Sequence, residues 1–354
     1  MHAIWRLCER AERSLGSLVL ATCDEIFARV SSQVSPMRFK RVSLRRIFLL
    51  TISFLHLGAA MASAHGPATN GAAEALRPFY IIGHGANTLA VAKRCLQLGA
   101  NGIECDVNLK AGETNKLYIG HGPWMEIGPA GRNAVPLKDF LHGLHELARQ
   151  NTNFCLVYFD CKTLAATPEF GRELRDDIRQ YLTGQGDDYL PLNALISVGT
   201  LKDKAIFTDI ADDLGPREGI MVDGYSRPGE VAAFFDTTKA ANRCFSDGTV
   251  PFNTCLAHFE IDWALHKACK MRARDHKFCF VGTWTVNNPM LMKRFIRVGV
   301  DGILADRKFV WYNFSFETMG HSLRSLSKLV QKDGPKLGVR AATRADNPFL
   351  AHRP

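Results

Sequence analysis

The sequence has no apolar stretch long enough to cross a membrane as a helix. Its most hydrophobic segment, 47–60, runs about 14 residues where roughly 20 are needed. It has no internal repeat, no Gly/Pro/Ser-rich linker, and no RNP, zinc-finger or helix-turn-helix pattern, which removes solenoids, tethered modules and the common nucleic-acid binders. None of its 10 cysteines stands in a CxxC pair, and no GxGxxG follows the first apolar run. It also lacks a strong charge of one sign. Of the net charge of +9, residues 1–64 carry +5, with nine Lys/Arg against four Asp/Glu. Residues 65–354, with 35 basic and 31 acidic, carry only +4. That excess assists approach to a zwitterionic or anionic membrane surface and is too small to argue for nucleic acid.

What is present begins with Arg38, Lys40, Arg41, Arg45 and Arg46, then the mostly apolar run 47–60, then Ala62-Ser63-Ala64. That order is a secretory signal peptide with a small-x-small cleavage site. Starting at Met37 gives it ordinary proportions, so 37–64 is expected to be the signal and 1–36 a non-native extension. The other reading makes 1–36 a genuine extension ahead of a signal anchor. Residues 65–354 form the mature chain, expected to be secreted and extracellular. It keeps eight cysteines, an even number that permits disulfides in an oxidising compartment, although some will pack simply as small hydrophobes.

Along the mature chain short apolar runs alternate with longer mixed stretches. The runs are 79–83, 102–109, 117–120, 154–160, 194–198, 219–222, 278–286 and 301–304. Several are apolar throughout, as strands buried on both faces are. The stretches 90–98, 137–150, 169–182, 202–213, 230–241, 260–274 and 289–298 read as helices. This alternation predicts a single (β/α)8 TIM barrel, with 117–120 alternatively a hairpin strand above it.

Chemistry-bearing residues gather where those runs end, which in such a barrel is the face that carries the active site. The first run ends at His84. The second carries Glu104 and Asp106, two apart and therefore on one face. Leu117–Gly120 is followed by His121, and 154–160 ends at Asp160 with Lys162 two beyond. Each alone has a plainer reading, as a structural histidine or a helix cap. Together, three carboxylates in one confined site repel one another and call for a cation. Oxygen ligands without thiolate suit Mg²⁺, with Ca²⁺ the alternative. Two histidines beside it are suited to phosphoryl transfer as base, acid or nucleophile.

These segments resemble the spider-venom sphingomyelinase D/phospholipase D family, itself related to glycerophosphodiester phosphodiesterases. Arg77-Pro78-Phe79-Tyr80-Ile81-Ile82-Gly83-His84 is similar to the family's opening strand. Leu98-Gly99-Ala100-Asn101-Gly102-Ile103-Glu104-Cys105-Asp106-Val107 is similar to its LGANxxExDV segment. His121-Gly122, Phe159-Asp160-Cys161-Lys162-Thr163, Ser246-Asp247-Gly248, Asn253-Thr254-Cys255, Trp284-Thr285-Val286 and Gly299-Val300-Asp301-Gly302-Ile303 follow in order. Ala342-Thr343-Arg344-Ala345-Asp346-Asn347-Pro348-Phe349 resembles its terminal plug, with Phe for the usual Trp.

The resemblance implies Mg²⁺ on Glu104, Asp106 and Asp160, and His84 and His121 as the catalytic pair with the nucleophile left open. It gives Lys162 to the phosphate and Trp284 to the substrate pocket. The implied enzyme is a monomer acting at a membrane surface on sphingophospholipids or lysophospholipids, releasing the headgroup as the lipid's own hydroxyl closes a cyclic phosphate. The alternatives are a glycerophosphodiesterase acting on small soluble diesters and an inactive lipid-binding relative.

The chain also departs from that pattern. Loop 122–133 has no cysteine, so Cys255 lacks the partner that some relatives supply, and Gly282 stands where an aromatic is expected. Asn287 stands where Asp is usual and Asp306 where Asn is. Trp124, Met125 and Ile127 are candidates for interface insertion, and Asn313-Phe314-Ser315 is a glycosylation sequon.

Overall fold

Eight parallel strands close on themselves. The structure, a computed structural model, describes residues 75–109, 116–121, 135–162, 166–224, 227–248, 255–306, 309–311, 314–316 and 322–350. The expected extension and signal (1–36 and 37–64), the loop residues Trp124, Met125 and Ile127, and the sequon at Asn313 lie outside them.

The chain runs β1 (Arg77–Gly83), α1 (Leu89–Gln97), β2 (Gly102–Leu109), β3 (Leu117–Ile119), β4 (Val135–Pro136), α2 (Leu137–Gln150) and β5 (Leu156–Cys161). It continues through α3 (Pro168–Asp177), β6 (Asn193–Val198), β7 (Glu218–Asp223), α4 (Pro228–Phe235), β8 (Arg243–Gly248) and α5 (Cys255–Asp275). It ends with β9 (Phe280–Trp284), α6 (Pro289–Val298), β10 (Gly302–Ala305), β11 (Phe309–Trp311), β12 (Phe314–Phe316), α7 (Ser322–Asp333) and β13 (Val339–Ala341). The barrel order is β1-β2-β5-β6-β7-β8-β9-β10, closed where Tyr80 to Gly83 of β1 pair with Gly302 to Ala305 of β10. β3 and β4 extend β2 antiparallel, and β13 pairs with the beginning of β1.

Alternation along each strand separates two cores. Outward residues such as Phe79, Ile81, Ile103, Val157, Phe159, Ile196 and Phe245 pack beneath the helices. Inward residues Tyr80, Ile82, Leu156, Tyr158, Leu195, Met221 and Phe280 fill the lumen. Helices start at the rim on side-chain caps: Thr88 for α1, Thr167 for α3 and Asn288 for α6. α3 runs on through a π turn, Ile178–Leu182, matching the helix expected over 169–182.

The end of the barrel opposite the rim is sealed by the tail. Phe349 is fully buried in the lumen core, against Gly219, where an added Cβ would lie 2.4 Å from its ring. Asp346 clamps the approach: its carboxylate accepts from Arg340 at 2.7 and 2.8 Å and from the Thr343 N–H at 2.8 Å. Asn193 and Arg217 both donate to the Asp346 carbonyl. The structure thus has the expected plug.

Some expectations need correction. For the run 117–120 the alternative holds, a hairpin strand and not a stave. The missing stave is β8, whose inward positions hold Cys244 and Ser246 and whose sequence has only one large apolar residue. The helix expected over 202–213 is a short 3-10 segment, Leu201–Phe207, and that over 230–241 stops at Phe235. There Thr237 and Thr238 turn their hydroxyls onto the last helical carbonyls, of Phe234 and Phe235. The amphipathic α7, which buries Leu323, Leu326 and Val330, was not expected. Disulfides are not formed by Cys105, Cys155, Cys161, Cys244 or Cys269, all of which are buried. Inside this barrel they pack as small apolar residues, and burial pushes their thiols up, Cys269 to about 12.

Candidate active site

The carboxylates come together because the strand period places them there. Glu104 and Asp106 both point inward from β2. Register pairs Asp106 with Asp160 on β5, so the two project side by side. One oxygen from each of the three lies within 4.8 Å of the others, and all three side chains are buried. Cys105 and Cys161, one residue along each strand, fall on the outward face and leave the site to oxygen donors.

The turn from β1 into α1 folds over this cluster. The Gly85 N–H donates to Glu104 Oε2 at 2.6 Å. The Asn87 amide donates to Asp106 Oδ2 at 2.7 Å, and the Asp106 N–H donates back to Asn87 Oδ1 at 2.9 Å. Neither Gly85 nor Asn87 was among the expected site residues. The Gly-His-Gly-Ala-Asn stretch has no spacing that reveals what its backbone will face.

Lys162 enters from the end of β5, its ammonium 2.5 Å from Asp160 Oδ2 and 3.9 Å from Asp106 Oδ1. His84 is half-buried beside the cluster, with Nε2 4.0 Å from Glu104 Oε2. Its other nitrogen, Nδ1, is 2.8 Å from Asp306 Oδ1 at the end of β10. Trp284 ends β9 and packs against the lumen core, its indole beside Gly224. His121 is exposed just past the end of β3, next to residues 122–134, which lie outside the described residues. The main chain beneath it is fixed by the Gly120 N–H on the Asp106 carbonyl at 2.8 Å. Of the seven expected residues, five therefore meet at one cluster, Trp284 lines the same rim, and His121 stands at its edge.

Crowding of like charges away from water is written into the proton affinities. Burial, reinforced by Asp106, pushes the Glu104 carboxyl up to about 8. Burial also raises Asp160, partly offset by Lys162. Burial works against a charged His84, but Asp306 and Glu104 outweigh it and bring the ring to about 9. Across the lumen, Asp223 on β7 accepts from the Tyr158 hydroxyl, which also lies 3.2 Å from Ser197 Oγ. Burial and the Asp160 charge raise Asp223 to about 7.

Whether these residues suit a metal ion can be judged from one atom. Asp160 Oδ1 is buried and has no hydrogen-bond partner among the described residues, a costly state for a carboxylate oxygen unless something binds there. An oxygen without a partner, two further buried carboxylates within reach and no thiol in the cluster, among the described residues, fit a hard divalent cation. Such an ion would displace the protons these groups hold and reverse their shifts.

Comparison with known proteins finds chains of similar sequence and structure. Dermonecrotic toxin SPH of Ixodes scapularis is 24% identical over 296 residues, spanning 77% of this chain and 76% of the relative. A dermonecrotic toxin of Loxosceles intermedia is 24% identical over 258 residues, spanning 67% and 81%. Among solved structures, a glycerophosphodiester phosphodiesterase from Thermotoga maritima aligns at 16% identity with a TM-score of 0.42, covering 71% of this chain and 97% of that one. The family model for dermonecrotic toxin SPH matches residues 74–349, from just before β1 to the buried Phe349, and the chain belongs to that family.

Proposed function

We propose that the protein is a secreted, Mg²⁺-dependent phosphodiesterase of the phospholipase D type. It cleaves the headgroup from a sphingophospholipid or lysophospholipid at a membrane surface. The observation that carries this reading is the unpartnered Asp160 Oδ1 within a buried three-carboxylate cluster that also has His84 and Lys162 at its edge. Family membership supports the same reading.

Glu104, Asp106 and Asp160 would hold the ion, which when bound supplies positive charge to the phosphate oxygens. With that charge in place, Lys162 is no longer the carboxylates' counter-ion, and its ammonium can turn to a non-bridging phosphate oxygen. The lipid's own hydroxyl attacks phosphorus, one histidine taking its proton. The bond from phosphorus to the headgroup oxygen breaks, and the other histidine protonates that oxygen as the alcohol leaves. Attack from within the same molecule gains from proximity and yields a cyclic phosphate. Trp284 forms the wall against which the substrate lies. In this scheme the active unit is a monomer.

The test is phosphorus NMR of residues 65–354 incubated with sphingomyelin, ceramide phosphoethanolamine, lysophosphatidylcholine or glycerophosphocholine. Each is run with Mg²⁺, with chelator, and with His84→Ala. A cyclic phosphate resonance from a lipid that needs Mg²⁺ and His84 is expected. Turnover of glycerophosphocholine alone would make the protein a phosphodiesterase of soluble diesters. No turnover by folded, metal-loaded protein would leave a lipid-binding relative.

A further inference from the structure

The outer helices do not share charge evenly. The helices α1, α2, α3 and α4 hold six basic and seven acidic residues. Those that follow the consecutive staves β8, β9 and β10, namely α5, α6 and α7, hold ten basic and four acidic. Three of the ten cations are paired: Arg272 with Asp301 in a buried bridge, Lys293 with Asp333 at 3.4 Å, and Arg294 with Asp262 at 2.8 Å. The other seven form no ion pair among the described residues, and of the four acidic residues Glu260 and Asp275 remain to balance them. This side of the barrel therefore carries a positive field that the small net charge of the whole chain conceals. It also exposes two large apolar side chains. Trp263 on α5 is 56% exposed, with the Lys267 ammonium 5.0 Å from the centre of its ring, and Met290 in the first turn of α6 is 78% exposed. Both α6 and α7 start at the catalytic rim. The first begins at Pro289, just past Trp284, and the second is tied to the rim by the Leu323 N–H on the Asp306 carbonyl at 3.0 Å.

We propose that the face formed by α5, α6 and α7 docks on an anionic lipid bilayer. Its unpaired cations are spread over three neighbouring helices, which suits a plane of headgroup charges. Each Lys or Arg brought to such a surface strengthens binding about fivefold. Trp263 and Met290 add what a bilayer interface takes up and a soluble polyanion does not: an amphipathic ring and an apolar chain. Docked in this way, the molecule brings the β9–β10 side of its rim, with Trp284 and Asp306, toward the lipid. The inference rests on the phosphodiesterase reading for its consequence in turnover, but not for the docking itself.

The test is sedimentation of residues 65–354, which hold the whole closed barrel and its plug, with phosphatidylcholine vesicles that contain or lack phosphatidylserine. Chelator is present, so that binding is read without turnover. The parent should bind the phosphatidylserine vesicles, and both high salt and plain phosphatidylcholine should weaken that binding. Lys270→Gln, Arg297→Gln and Lys328→Gln together, one from each helix, should lower affinity about 10²-fold. Lys138→Gln, Lys202→Gln and Lys204→Gln remove the same charge from the sectors across the barrel and should change it little. Trp263→Ser with Met290→Ser should cost about tenfold on vesicles and leave retention on heparin unchanged. With Mg²⁺, the first triple should slow turnover on limiting phosphatidylserine vesicles and leave the rate at saturating lipid unchanged. Equal losses in the two triples would mean that net charge alone acts, and binding to heparin but not to vesicles would mean a soluble polyanion. Either result overturns the proposal, as does a parent indifferent to phosphatidylserine. An inactive parent would sink the phosphodiesterase reading, while the vesicle binding would still decide the role of this face.

Discussion

Asn87 and Asp106 hold each other at both ends: amide to carboxylate at 2.7 Å, and backbone N–H to amide oxygen at 2.9 Å. An oxygen of a candidate ligand is thus aimed by a residue from the preceding strand–helix turn. Groups that orient ligands in this way affect metal binding without touching the ion.

Asn87→Ala should therefore weaken divalent-cation affinity about 10–100-fold and leave the metal-free fold intact. Calorimetric titration with Mg²⁺ or Mn²⁺, beside a circular-dichroism melt of the chelated protein, checks both halves.

Without metal, the carboxylate cluster should make stability fall as pH rises. Burial and Asp106 raise Glu104 from its unfolded value of 4.5 to about 8 in the folded chain. Its contribution is therefore fully present below about 4.5 and lost as pH climbs through 8. In chelator, the melting temperature should decline across that window. Mg²⁺ should flatten the decline, and Glu104→Gln should reduce the decline and weaken the Mg²⁺ response. A chelated protein equally stable at pH 5 and pH 8 would contradict this.

Lys162 is the carboxylates' counter-charge when no ion is bound. Lys162→Met should lower kcat roughly 10²–10³-fold while leaving metal affinity undiminished or raised. Loss of metal affinity together with activity would instead mark it as a support for the ligands.

The tail plug should carry much of the stability. Phe349→Ala should cost about 3–5 kcal/mol. Gly219→Ala should also destabilise strongly, because its Cβ would press on the Phe349 ring. The Gly219→Ala loss should shrink when combined with Phe349→Leu, a coupling that urea melts of the four proteins can measure.

Asp346 gives an acid-side signal of opposite sign to that of Glu104. Its bonds to Arg340 and Thr343 hold its carboxyl below the usual range, so its contribution is present above about 3.8 and lost as pH falls through the folded value. Asp346→Asn should be less stable at pH 7 and should lose less on acidification to pH 3, read from thermal melts at the two pH values.

The parts of this arrangement that were legible in the sequence obey a short period or carry a dense signal. Glu104-x-Asp106 and Asp160-x-Lys162 sit two apart, so strand alternation alone places each pair on one face. The continuous apolar runs of β1, β5 and β6 can only be buried staves. What was not legible depends on register between distant segments. Nothing in Asn87 reveals that it will face Asp106. Nor does anything in Asn287 or Asp306 reveal that β9 and β10 will set them against each other and against His84. β8 was overlooked because its lumen-facing residues, Cys244 and Ser246, are small. The helix over 322–333 had a readable apolar period at Leu323, Leu326 and Val330, and its polar remainder obscured it.

The closure of β1 on β10 gives the molecule a check on its own completeness. His84 and the Asp306 carboxylate behind it are 222 residues apart, whereas the three candidate ligands lie within β2 and β5. A nascent or clipped chain that ends before β10 has all three carboxylates but cannot hold its histidine in register. The parts that gather charge are thus made early, and the part that aims the histidine arrives nearly last. A chain of this design would gain cleaving power only once almost all of it had been made.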